Sequence, residues 1–71
     1  MLTEREHKAL DAISIAGPAG LGVLAIGRAA VRGERLTASD KHRIGRTVAN
    51  ALVEDGLIRA RADRYVIPPW F

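Results

Sequence analysis

Ala9, Leu10, Ile13 and Ala16 recur at helical spacing and form one apolar stripe, while Glu4, Arg5, Lys8 and Asp11 fall on the wet side. Thr3 stands three residues before Glu6, the spacing at which a hydroxyl and a carboxylate each satisfy a backbone N–H at a helix start. A first helix is therefore predicted over 4–16. Gly17-Pro18-Ala19-Gly20 ends it, because proline disfavours helical geometry in the residue before it and glycine suits a helix cap. Ile15 falls off the stripe, and the periodicity assigns it no place.

A second helix is predicted over 21–32, with Leu24, Gly27 and Val31 on one line and Leu21 and Val23 flanking it. Gly22 and Gly27 each weaken such a helix by about 1 kcal/mol relative to alanine, and Leu21 to Val23 also suit a short strand. Ile26 and Ala30 lie opposite Leu24, so this helix is apolar nearly all round. It is covered either by a second subunit or by two sides of its own chain.

A third helix is predicted over 38–55: Thr37 or Ser39 offers the N-cap, Asp40 suits the first turn, and Ile44, Val48, Ala51 and Leu52 form the stripe. Gly56 is the expected left-handed stop. Leu57–Arg61 and Arg64–Ile67 have strand character and join across Ala62-Asp63, giving a hairpin over about 57–67 that must lie on the helices to persist. Pro68-Pro69 stops the ladder, and Trp70-Phe71 adds a large apolar surface that folds onto the core or meets another copy. The expected fold class is mainly α with a small β-hairpin (α+β), in a single domain over residues 1–71.

Composition narrows the function. Hydrophobic residues make up 48% and charged residues 27% of the 71, a globular balance, so the chain is expected to fold. With no cysteine and only His7 and His42, neither a disulfide framework nor a metal site is expected, and a cytoplasmic setting is. The opening residues lack a secretory pattern. The longest apolar stretch, Pro18 to Ala30, contains Arg28 and is shorter than the ~20 residues of a membrane span. A net charge of +3 and a sequence pI of about 10.2 favour an anionic partner. The positive residues concentrate late: Lys41, His42, Arg43 and Arg46, then Arg59, Arg61 and Arg64.

The order helix, helix, helix, hairpin, together with the run from Ile44 through Gly56 to Arg59 and the run Asp63-Arg64-Tyr65-Val66-Ile67, resembles the winged helix-turn-helix of small bacterial and phage regulators, the MarR-like and GntR-like groups among them. The likeness covers Ala38 to Ile67 by wording and the first half by element order. It implies a recognition helix running through its glycine stop into a wing. The segment from Arg32 to Asp40 is longer than the turn of about three to four residues in a compact helix-turn-helix, so either the turn is extended or the third helix protrudes.

Winding the third helix at 3.6 residues per turn sets His42, Arg43, Arg46 and Asn50 opposite the stripe, with Thr47 at the edge. Arginine bonds guanine bidentately and asparagine bonds adenine in a major groove, and a threonine methyl or hydroxyl touches thymine or phosphate. The expected DNA-binding residues are Lys41, His42, Arg43, Arg46, Thr47, Asn50, Arg59, Arg61 and Arg64, the last three as a wing cluster. The competing reading is an ordinary solvated face. No nucleophile with a base, no converging carboxylates and no phosphate loop are found in the sequence, so neither an enzyme, a cofactor nor a small-molecule substrate is expected. The expected partner is double-stranded DNA, with a homodimer as a further option. The alternative function is a protein-docking module using the second helix and the tail, its interface residues being Ile26, Ala30, Trp70 and Phe71.

Overall fold

The capping box at Thr3 forms as spaced: the Thr3 hydroxyl accepts from the Glu6 N–H at 3.2 Å, and the Glu6 carboxylate accepts from the Thr3 N–H at 2.8 Å. It opens helix α1, Glu4–Ala16, which a 3-10 turn at Gly17–Ala19 closes. Helix α2 (Val23–Ala30), helix α3 (Ala38–Glu54) and strands β1 (Arg59–Arg61) and β2 (Arg64–Val66) follow. The structure, a computed structural model, describes residues 2–68. It is mainly helical with a two-stranded antiparallel hairpin, a winged-helix-like α+β layout.

Helix α2 ends at Ala30 rather than 32, and two further predicted boundaries move for a long-range reason. Helix α2 begins at Val23 rather than 21 because Leu21 is held by Tyr65 of β2, with backbone hydrogen bonds of 3.0 and 2.8 Å in the two directions. This single bridge is the short strand that Leu21 to Val23 suited, and it pins the hairpin to the turn after α1. Strand β1 begins at Arg59 rather than 57 because Leu57 and Ile58 serve the end of α3. The Leu57 N–H bonds the Leu52 carbonyl at 3.0 Å and the Gly56 N–H bonds the Val53 carbonyl at 3.0 Å, with Gly56 at φ +76°. That pair of bonds is a Schellman stop, and Ile58 drops into the core at 3% exposure.

The core gathers Ala9 and Ile13 of α1, Ile26 and Ala30 of α2, Val31, and Val48, Ala49 and Leu52 of α3. Ile26 and Ala30 are fully buried, which corrects their assignment as interface residues: α2 is covered on two sides by α1 and α3 of its own chain. Trp70 and Phe71, the other half of that assignment, lie outside the described residues. The buried side of α3 is also turned from the expected stripe towards Gly45 and Ala49, leaving Ile44 and Ala51 half-buried.

The cause is the α2–α3 crossing. A methyl group on Gly27 would run into the Lys41 carbonyl, and one on Gly45 into the Val23 carbonyl and the backbone of Gly27. The two helices meet backbone to backbone, with no side chain between them. The seven-residue connection from Val31 to Thr37 is therefore an extended turn. It is fastened to α1 by a two-pronged Arg5–Glu34 pair at 2.7 and 3.3 Å and by Lys8 on the Arg32 carbonyl at 3.4 Å. Thr37, its last residue, caps α3 by accepting from the Asp40 N–H at 3.1 Å.

Gly27→Ala and Gly45→Ala are each expected to destabilise the fold by about 1–3 kcal/mol or more in urea titration, as overpacking does, although alanine is the better helix former by about 1 kcal/mol. Gly22→Ala, where an added methyl meets nothing, stays within about 1 kcal/mol of the parent; equal behaviour of all three variants would contradict the close crossing. Ala62 holds the hairpin turn at φ +56°, a left-handed geometry that costs a residue with a Cβ about 1 kcal/mol. Ala62→Gly should therefore raise stability by about that amount in the same titration.

Candidate nucleic-acid interface

From Lys41 to Val53 the chain carries no acidic residue, and this run forms most of α3. With Gly45, Val48, Ala49 and Leu52 turned inward, the exposed arc of the helix holds His42, Arg43, Arg46, Thr47 and Asn50. Among the described residues nothing pairs with the side chains of His42, Arg46 or Asn50. Arg46 and Asn50 stand one turn apart on the same strip, a guanidinium and a carboxamide both open to solvent.

The other residues assigned to α3 are placed differently. Arg43 donates to the Asp40 carboxylate at 2.9 Å, and the Thr47 hydroxyl donates to the Arg43 carbonyl at 3.2 Å. Both also border an open groove of about 830 Å³ between α3 and the start of α1, over Ile44, Val48 and Ala51. Lys41 is corrected: it is half-buried, and its carbonyl lies against Gly27 of α2. It therefore belongs to the flank facing α2 and not to the outer arc. Val53, at 39% exposure, extends the strip one turn beyond Asn50. It is absent from the residues expected to bind, although winding the helix to its last turn places it there.

The hairpin supplies a second group. Opposed residues of an antiparallel pair share a face, and faces alternate along each strand. The register Arg59↔Val66, Ala60↔Tyr65, Arg61↔Arg64 accordingly puts Arg59, Arg61 and Arg64 on one face together with the buried Val66, and Ala60 with Tyr65 on the other. All three arginines are exposed. Arg61 and Arg64 are direct cross-strand neighbours of like charge, an arrangement that opposes pairing of the strands. Arg64 is partly diverted, its guanidinium donating to the Gly20 carbonyl at 3.4 Å. The hairpin rests on α1 and the 3-10 turn through β2, so the α3 strip and the ribbon arginines are two groups carried by separate elements.

Three carboxylates on the α1 side of the molecule, Glu4, Glu6 and Glu34, are tied up. The Arg5 guanidinium holds the Glu34 carboxyl below its ordinary range, and Glu34 in turn raises the pKa of Arg5. The Thr3 backbone N–H, followed by its hydroxyl, lowers the pKa of Glu6. Glu4 pairs with Lys8 at 3.4 Å. Among the described residues no helix is long and apolar enough to cross a membrane.

A winged-helix-like α+β layout with a polar, acid-free strip along its longest helix is what fold and site define together. Comparison of the chain with protein-family models, with curated proteins and with solved structures gave no match.

Arg61→Glu replaces the like-charge pair opposite Arg64 by an attractive one. The free protein should become more stable by up to about 1 kcal/mol at low salt, with the gain shrinking as salt screens the pair. Thermal unfolding at two ionic strengths checks this, and an unchanged or lowered midpoint at low salt would contradict the register.

Proposed function

We propose that the protein binds double-stranded DNA and reads its sequence, with α3 in the major groove and the hairpin on the backbone or in the minor groove. A transcriptional or recombination-associated regulator of the bacterial or phage kind is the role this implies, by likeness of layout to winged helix-turn-helix proteins. The observation that carries the reading is the outer strip of α3, on which Arg46 and Asn50 stand exposed and without intramolecular partners among the described residues. These are the two side-chain types that bond purine edges bidentately. Arg43 and the ribbon arginines serve phosphate, where charge matters more than shape. Glu54 and Asp55 end the helix with two acids, so the N-terminal and middle turns approach the duplex most closely.

The alternative, a protein-docking module using α2 and the Trp70-Phe71 tail, is less favoured because Ile26 and Ala30 are interior to the fold.

Fluorescence anisotropy with duplexes selected from a random pool tests the proposal. With about four phosphate contacts, log affinity falls with log salt at a slope of about −3.6. Arg46→Ala and Asn50→Ala each reduce discrimination between the selected and a scrambled duplex by about 1–3 kcal/mol. Arg61→Glu weakens both duplexes alike. Absence of duplex affinity at low salt would overturn the reading, and equal loss on both duplexes for Arg46→Ala and Asn50→Ala would remove base recognition from α3.

A further inference from the structure

The most exposed large hydrophobic side chain among the described residues is Ile15, at 80% exposure. It sits on the side of α1 away from Ala9 and Ile13, beside an open groove of about 550 Å³ floored by small and apolar groups including Ala12, Leu21 and Ala29. The groove takes no residue from α3 or the hairpin, so it lies apart from the strip proposed to read DNA. A protruding isoleucine and a shallow alanine-floored hollow on the same patch are complementary to each other. That is the requirement of a two-fold interface, in which one surface meets its own copy.

The charges at the rim point to the same occupant. Asp11 lies on the edge of α1 that also borders Leu10, Leu57 and Ile67. Arg32, just past the end of α2, lies on the opposite edge of the groove. Neither has a side-chain partner among the described residues, unlike Arg5, Glu34 and Lys8 nearby. A two-fold axis through the groove exchanges its edges, bringing each Asp11 towards Arg32 of the other copy. Lys8 also lines the groove, but its ammonium is held by Glu4 and the Arg32 carbonyl; the charges left unmatched on the two edges, Asp11 and Arg32, are of opposite sign and suit a second copy of this chain.

We propose that this face is a homodimer interface, with Ile15 of each copy seated in the alanine-floored hollow of the other and Asp11 paired with Arg32 across the two-fold. It leaves the outer strip of α3 open on both copies. Sedimentation equilibrium of the full chain from low micromolar to millimolar concentration tests it without any nucleic acid, so its outcome is independent of the DNA-binding reading. The average mass should rise to that of a dimer. Ile15→Glu should remain monomeric throughout, and at the low-micromolar end, where the parent is monomeric too, its thermal melt should match the parent's, since the side chain makes no part of the core. Asp11→Arg and Arg32→Asp should each weaken association by about tenfold, and combining them should restore it. A parent that stays monomeric at millimolar concentration, a dimer indifferent to Ile15→Glu, or a double variant no tighter than the single ones would each overturn the proposal.

Discussion

The contact between Gly27 and Gly45 decides how α3 is mounted. Helices packed through side chains are held apart by them and are rotated to suit the largest apolar residues. Here the two backbones touch, so the inner side of α3 is fixed by where glycine and alanine fall: Gly45 and Ala49, with Val48 and Leu52 beside them. Glycine is an unfavourable helix residue, and its presence near the middle of both helices is explained by this crossing alone. At the surface the crossing acts as a rotation of the helix. Lys41 lies on the flank towards α2, Ile44 and Ala51 become the lip of a groove, and the arc from His42 to Asn50 faces outward.

The hairpin depends on a second constraint of the same long-range kind. A two-stranded ribbon with three residues in each strand has too little buried surface to persist alone. The Leu21–Tyr65 bridge gives it a third, one-residue strand, and Val66 with Ile58 roots its base in the core. The tip is then free to hold an arrangement that local energetics oppose: a non-glycine residue in the left-handed region at Ala62, and two arginines facing each other across the strands.

The local signals in the sequence are sound. The Thr3–Glu6 box, the Thr37 cap, the Gly56 stop and the turn at Ala62-Asp63 all depend on residues a few positions apart, and each forms as the chemistry of its side chains requires. The hairpin register is equally legible once that turn is placed, and so are the exposed positions of Arg46 and Asn50. The expectations that fail depend on distant parts of the chain. The start of α2 is set by Tyr65, and no periodicity near Leu21 contains that information. Reading apolar bulk as the inner stripe misplaces Ile44 and Ala51, which are half-buried at the lip of a groove, because a glycine contact has no bulk to count. Ile26 and Ala30 look like surplus hydrophobic surface only while α2 is judged without its two neighbours. Ile15 is the reverse case: its failure to join the stripe is a correct sign that it points outward.

Exposed features that weaken the monomer are informative when they share a chemistry. The like charges at Arg61 and Arg64, the unpartnered Arg46 and Asn50, and the acid-free run from Lys41 to Val53 all leave donors and positive charge unmatched within the chain. The acids at the start of α1 and in the α2–α3 turn are matched instead: Glu4 by Lys8, Glu6 by the Thr3 cap, Glu34 by Arg5. A small protein selected only for its own stability would distribute its pairs more evenly, since mixed charge of both signs is the less costly surface. Because α3 is held from within by backbone contact, its outer side chains are not needed to hold the fold.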